Sequence, residues 1–551
     1  MSSDRKQEPI NRTSTGDASL DRLIAALCQP ARYAHPVGAV ELLQTHISCV
    51  LLAGDYAYKI KKPVNLGFLD FTTLAARRHY CEEELRINRR TAPGLYLEVV
   101  AIGGSVAEPA IGGAGAAIEY ALRMRRFAQD DLLDRMARQG RLLPQHIDAL
   151  ARDVAAFHAR IGRAGADQAF GDPQHILAPA LQNFEQLLAL ACDKVDIALL
   201  ARLRDWTIHA HAALAPVFAT RKRDGWVREC HGDLHLGNIA LLEGAPTPFD
   251  GIEFNPAFRW IDVMGEVAFL AMDLFDHRLP RLAYRFLNTY LEITGDYAGL
   301  RVLRFYLVYR ALVRAKVSAL KAHQPGMAAK DRSETEHAYR RHLYLSERLA
   351  RPAHPAMLIM HGLSGSGKTT VSQFFLESPG AVRLRSDVER KRLYGIAAAE
   401  HSNSALDAGL YTPAASRRTY GRLADLARAV LDARYPVIVD AAFLRRAERD
   451  RFAQLARDAN ASFLIAACAA SPATLRERVA ARERDAEDAS DAGVTVLQRQ
   501  IATAEPLTAD EIAHTMTLDA ERGAAAPEAE ELARRLGLET ARTRAPRATM
   551  R

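Results

Sequence analysis

The sequence predicts two folding units of different class, an α+β unit followed by an α/β unit built on a parallel sheet. Three observations carry this reading. In the first part, two strand–turn–strand segments, "HISCVLLAGDYAYKIKK" and "NIALLEGAPTPFDGIEF", lie among long helical stretches. After "ERLARPAHPAM", whose two prolines break the helical pattern, short apolar strands alternate with amphipathic helices. The length of 551 residues also exceeds what a single core supports. The expected boundaries are a polar tail at 1–17, a first domain at 18–349, a linker at 350–356, a second domain at 357–540 and a basic tail, "ARTRAPRATMR", at 541–551.

Taken in order, a helix from about Leu20 leads into alternating apolar residues on either side of Gly54-Asp55, which predict two strands and a tight turn. "TTLAARRHYCEEELRINRR" predicts a helix, and "LYLEVVAI" and "AIEYALRMRRF" predict strands. Helices are expected over 129–160 and 174–219, then the second hairpin, then helices from about Asp262 to Leu349. The second unit offers five strands: "AMLIMHG", "AVRLRS", "YPVIVDA", "SFLIAACA" and "HTMTLD".

Composition excludes several classes. With 49% hydrophobic and 25% charged residues the chain reads as ordinary globular protein. A net charge of +7 is small for this length and reads equally as an ordinary mixed surface or as attraction to anionic ligands such as nucleotides; the basic residues are dispersed, which argues against a nucleic-acid stripe. No run of eighteen apolar residues exists, and "MSSDRKQEPINRTSTGDASL" has no apolar signal core; neither membrane insertion nor export is expected. Six cysteines without a CxxC pair are expected as free thiols in the cytoplasm.

Chemistry first shows in "HGDLHLGNI", residues 231–239. Asp233 and Asn238 are spaced so that a carboxylate accepts a hydroxyl proton while an amide oxygen holds a metal ion; Asp250 on the returning strand completes a Mg²⁺ site. Such side chains suffice for phosphoryl transfer, which needs charge neutralisation and an oriented nucleophile rather than covalent help. Upstream, Ala57 and Lys59 share one strand face, the small residue leaving room for adenine and the lysine reaching the phosphates; Lys61 shares that face as an alternative. In "EEEL" the carboxylate expected to position the lysine is Glu84, since Ile87 can then face the core, with Glu82 as the alternative. Each residue alone reads as an ordinary surface charge, and His231 with His235 reads as part of the loop rather than as a metal pair. Their chain order carries the signal.

That order, over roughly residues 35–320, resembles the protein-kinase-like fold in the version of aminoglycoside phosphotransferases and choline kinases, which use "HGD" where protein kinases use "HRD". Two departures stand out. No G-x-G-x-x-G precedes Lys59, only Gly54 marking the hairpin, so looser cover over the phosphates is expected; and the metal motif reads "FDG".

The second device is "GLSGSGKT", residues 362–369, directly after an apolar strand. Loop amides around Gly362, Gly365 and Gly367 are expected to surround phosphate oxygens at a helix N-terminus, with Lys368 on the β/γ-phosphates, the Thr369 hydroxyl on Mg²⁺ and Thr370 beside it. Asp387 and Arg390, three apart at a helix start, are candidates for a base and an acceptor-gripping cation. Asp440 ends the next strand and is a candidate for a metal-bound water. Arg478 and Arg482 lie one turn apart before an acidic stretch and look like the lid arginines of small P-loop kinases. Region 354–540 resembles the P-loop NTPases with nucleoside-monophosphate-kinase-like sheets: adenylate and gluconate kinases, chloramphenicol phosphotransferases, zeta toxins and the kinase part of polynucleotide kinases.

As a whole, the chain resembles a bacterial two-domain family in which an aminoglycoside phosphotransferase-like domain is fused to a P-loop kinase. The resemblance implies two ATP- and Mg²⁺-dependent phosphotransferase centres acting on small hydroxylated or aminated molecules. Two other readings compete: an N-terminal ligand-binding module that gates the P-loop kinase, and a C-terminal kinase for nucleic-acid ends.

Overall fold

The computed structural model describes residues 17–538 apart from 68, 114, 192, 325–326, 397–411, 483–492, 520 and 522–525. The expected polar tail, up to residue 16, and the basic tail lie outside the described residues.

Helix α1 (Ala18–Leu27) begins where the Asp17 carboxylate accepts from the Ser19 and Leu20 amides. An antiparallel sheet follows: β1 (Val40–Gln44), β2 (Ser48–Ala53), β3 (Tyr56–Lys61), β4 (Tyr96–Gly104), β5 (Pro109–Ile111) and β6 (Glu119–Arg125), in the order β1-β2-β3-β6-β4-β5. Strand β1 was not predicted. "VELLQ" has no β-branched run, and it is a strand because its backbone pairs with β2 from Val40↔Ala53 to Gln44↔Cys49. The turn joining β1 to β2 is Thr45-His46-Ile47, closed by the Thr45 hydroxyl on the Ser48 amide at 3.0 Å. Helix α2 (Leu74–Asn88), capped by Thr73, lies between β3 and β4 in sequence.

Next come α3 (Leu133–Arg138), α4 (Pro144–Arg160), α5 (Pro173–Leu190) and α6 (Lys194–Arg223). The long helix expected over 129–160 is interrupted at Gly140, whose φ of +69° suits a turn and not a helix. The one over 174–219 restarts at Asp193, which caps α6. Strand β7 (Val227–Glu229) precedes the hairpin β8 (Ile239–Leu242) and β9 (Ala245–Pro248), then α7 (Pro256–Arg259) and β10 (Trp260–Asp262). Helices α8 (Val263–Asp276), α9 (Pro280–Thr294), α10 (Leu300–Ala322) and α11 (Ala329–Ala350) complete the helical layer.

The remaining elements are β11 (Ala356–His361), α12 (Lys368–Phe375), β12 (Val382–Arg385), α13 (Ser386–Leu393), α14 (Pro413–Asp432), β13 (Val437–Asp440), α15 (Arg446–Asp458), β14 (Ser462–Ala469), α16 (Pro472–Arg482), α17 (Val494–Thr503), α18 (Ala509–Ala513), β15 (Thr515–Asp519) and α19 (Ala526–Arg535). Their five strands form one parallel sheet in the order β12-β13-β11-β14-β15. The chain goes from β11 to the sheet's edge at β12 and later returns to its other side, so the end of β11 lies at a topological switch point, where such sheets take ligands.

The chain divides into two compact units, residues 1–141 with 229–261, and 142–228 with 262–551. Residues 351–355, within the expected linker, join α11 to β11 inside the second of these units. In that unit Asn288 and Glu292 of α9 bond to β12 and the residue before it. Gly380, at φ +79°, is so closely approached by the Tyr284 ring of α9 that a side chain there would overlap it. Among the described residues the cysteines form no disulfide, and no helix is long and apolar enough to cross a membrane.

The helical layer is centred on a buried ion triad. Arg221 donates to both Asp262 oxygens at 2.6 and 2.9 Å and to both Asp296 oxygens at 2.8 and 2.7 Å. Removing one partner leaves a desolvated charge, so Asp296→Ala is expected to lower stability by about 3–5 kcal/mol, read as a shift in the urea unfolding curve.

Candidate active sites

The "EEE" run of α2 separates into three environments. Glu82 is exposed and pairs with Arg78. Glu83 meets Arg86 and Arg259, and Arg259 also holds Glu229 at 3.1 Å. Glu84 is fully buried, with Ile87 one turn on facing the core. Lys59 Nζ lies 2.7 Å from Glu84 Oε1 and 2.5 Å from Asp250 Oδ1. Glu84, not Glu82, is therefore the carboxylate that Lys59 meets. Lys61 is sealed in, 1% exposed, between Glu84 at 2.6 Å and Glu253. That burial removes the alternative in which Lys61 reaches a nucleotide.

Charge in this cluster is mutually held. Burial alone would raise the Glu84 carboxyl, but Lys59 and Lys61 together hold it well below its usual range. Burial pushes Glu253 up, only partly countered by Lys61, with Glu84 adding to the rise. Burial opposes the charge of Lys59, yet Asp250 and Glu84 keep it protonated.

The loop after β7 is clasped to the turn after β9. His231 Nε2 donates to the Phe249 carbonyl at 2.9 Å, and the Ile252 amide donates to the His231 carbonyl at 3.0 Å. Asn238 Nδ2 donates to Asp233 Oδ2 at 2.9 Å and to the Asp233 carbonyl at 3.1 Å. His235 Nε2 lies 3.4 Å from the same carboxylate and its Nδ1 accepts from the Gly237 amide, so the histidines serve the loop. Asp250 has a φ of +61°, uncommon for a residue with a side chain. Two bonds from α2 and β4 hold it: its amide donates to Tyr96 Oη at 3.0 Å, and the next amide, Gly251, donates to Asn88 Oδ1 at 2.7 Å. The Asp250 side chain is 42% exposed, so the network presents it to solvent. Asp250 and the Asn238 amide offer hard oxygen donors, a set that fits Mg²⁺.

In the second unit the glycine-rich loop leaves β11. Gly362, at φ +146°, could not carry a Cβ beside Ser366 Oγ and the Cys468 carbonyl. Lys368 arches back to the Gly362 and Leu363 carbonyls at 2.9 and 2.8 Å. Gly365 and Gly367 also take positive φ, and Gly367 caps α12; Thr369 is partly buried and Thr370 exposed. Asp387 and Arg390 lie on one side of α13, Nη1 to Oδ1 being 3.2 Å. Asp440 is buried and accepts from Ser372 Oγ at 3.0 Å. Arg478 Nη1 reaches the Gly365 carbonyl at 3.4 Å. Arg482 ends α16, and its side chain lies outside the described residues, as does most of the acidic stretch.

Sequence reasoning missed three side chains at this loop. Gln500 of α17 accepts from the Ser364 amide at 2.7 Å, while Leu497 packs with Leu475, Val479 and Leu363. Arg383 and Glu292 meet behind α12. Their only signal was a polar residue at one position of an otherwise ordinary helix or strand. Lys61→Met should leave Glu253 and part of Glu84 buried without a counter-ion, destabilising the chain by about 3–5 kcal/mol in urea unfolding. Adding Glu253→Gln should recover part of that loss.

A family model described as an AAA domain matches residues 357–507. A protein of Mycobacterium tuberculosis (strain ATCC 25618 / H37Rv) whose own function is uncharacterised is 29% identical over 460 residues, 83% of this chain and 90% of its own. Among solved structures, a choline/ethanolamine kinase family protein from Mesorhizobium loti is 13% identical, covering 60% of this chain and 99% of its own, with a TM-score of 0.34. A sugar kinase from Janibacter sp. HTCC2649 is 22% identical, covering 33% of this chain and 95% of its own, with a TM-score of 0.25. The chain thus joins an α+β part to an α/β part with a parallel sheet, and residues 357–507 of the latter match the AAA-domain model.

Proposed function

We propose that this chain is an ATP-dependent phosphotransferase with two catalytic centres, in domains at 18–349 and 357–540, each passing the terminal phosphate of ATP to a hydroxyl of a small molecule. The observation that carries this reading is Lys59 held between Glu84 and an exposed Asp250, in the same unit as an Asp233 oriented by Asn238.

In the first centre Lys59 grips phosphate oxygens, and Asn238 and Asp250 hold Mg²⁺, which neutralises phosphate charge when bound. Asp233 takes the proton of the acceptor hydroxyl as its oxygen bonds to phosphorus and the bond to ADP breaks. In the second, amides of the loop from Gly362 to Thr369 surround the phosphates. A phosphate oxygen entering there takes over the Ser364 donor from Gln500, and Lys368 turns from the loop carbonyls to the terminal phosphates. Asp387 accepts the hydroxyl proton, Arg390 holds an acidic group of the acceptor, and Arg478 with Arg482 meets the transferring phosphoryl group. Thr369 and Asp440 supply the metal-facing oxygens.

The test is ATP consumption by the full chain with sugars, amino alcohols, aminoglycosides and oligonucleotide ends. Asp233→Asn should lower transfer to one acceptor class by roughly 10²–10⁴-fold with ATP affinity nearly unchanged. Lys368→Ala should lower transfer to another by roughly 10²-fold or more. If the wild type transfers only through the Lys368 site, and Asp233→Asn leaves every property intact, the N-terminal part is a ligand-binding regulator instead.

A further inference from the structure

Helix α9 belongs to the helical layer, where Tyr290 bonds His158 Nδ1 at 2.9 Å and His158 Nε2 meets Glu266 at 3.0 Å. The same helix is joined to the P-loop sheet by side chains of graded reach. Arg285 pairs with Glu377 at 2.8 Å, behind α12. Asn288 donates to the Ala381 carbonyl at 2.9 Å and accepts from the Arg383 amide at 2.7 Å. Glu292 accepts from Arg383 Nε and Nη2 at 2.9 and 2.8 Å, and it also lies 3.7 Å from Arg385.

Arg383 reaches further. Its Nη1 approaches the Thr369 carbonyl at 3.4 Å and Ser372 Oγ at 3.3 Å, and that hydroxyl donates to Asp440 Oδ2. The Arg383 side chain is only 6% exposed and lies one hydroxyl away from a buried carboxylate. A cation so placed has two anions to choose between. Glu292 takes its Nε and Nη2, and the third nitrogen, Nη1, faces the Thr369 carbonyl and Ser372 Oγ.

We propose that Glu292 is a positioning residue for the P-loop site: through Arg383 it holds the Thr369 carbonyl and the Ser372 hydroxyl in place and keeps a competing cation off Asp440. The helical layer thereby sets how readily the P-loop site takes Mg²⁺ with ATP, an inference that rests on reading that loop as a nucleotide site.

The experiment measures, on the full chain, the Mg²⁺ midpoint of the ATP binding that Lys368→Ala abolishes, alongside turnover and thermal melting without ligand. Glu292→Ala should raise the midpoint roughly five-fold or more, the low end of couplings between linked sites. Glu292→Gln, which keeps an acceptor oxygen, should raise it less. Adding Arg383→Met to Glu292→Ala should bring the midpoint back toward wild type, because the released cation is gone. Arg285→Gln, at the same junction but away from the loop, should lower the melting temperature and leave the midpoint unchanged.

The proposal is overturned if Glu292→Ala lowers the melting temperature as Arg285→Gln does with an unchanged midpoint, or if the double variant stays shifted. Mg²⁺-dependent ATP binding without turnover in the wild type would instead overturn the phosphotransferase reading of this site, and the midpoints would still decide the role of Glu292.

Discussion

One buried carboxylate, Glu84, shared between Lys59 and Lys61, organises the first unit. A carboxylate removed from water is tolerated only with charges and donors around it, and two lysines on alternate positions of β3 supply them. Because both lysines stand on one strand face, the pairing fixes the rotation of α2 against the sheet. Once α2 is fixed, Glu83 meets Arg259 and Asn88 meets the Gly251 amide, which sets the loop with Asp233 and the turn with Asp250. The cluster holds two cations against three carboxylates, Glu84, Asp250 and Glu253, and the least buried of them, Asp250, faces solvent. Structural charge is spent inside, and Asp250 is left to solvent.

The second unit meets a similar demand by other means. Its loop after β11 is shaped by positive φ at Gly362, Gly365 and Gly367, so the path of its backbone amides depends on chain geometry and not on side-chain reach. Side chains tune the loop from outside: Gln500 and Arg478 from above, Arg383 from behind α12.

Most of the architecture was legible because it follows from periodicity. Three strands of the parallel sheet, β11, β13 and β14, are largely apolar runs, and Lys59, Glu84, Asp233, Asn238 and Asp250 were singled out by spacing that the structure turns into contact. What was not legible has physical reasons. Strand β1 exists through pairing with β2, which local sequence does not encode. Glu253 lies in "GIEF" with nothing to mark it as buried, and its partner Lys61 read as the alternative lysine for the phosphates. Glu292, Arg383 and Gln500 act across long sequence separations, and a single chain without a fold carries no signal for such pairs.

Strand β12 is the edge of its sheet, with its outward amide and carbonyl groups turned away from β13. An open edge of this kind is a template for another strand and hence for self-association. Asn288 occupies it: one carboxamide satisfies the Ala381 carbonyl and the Arg383 amide, doing with a side chain what a neighbouring strand would do with its backbone. Protection of the sheet against aggregation is thus encoded some ninety residues earlier in the chain, in a helix of the other layer. A recombination event that moved residues 353–551 to a new partner would carry the sheet without its guard, whereas one that began before Pro280 would carry both.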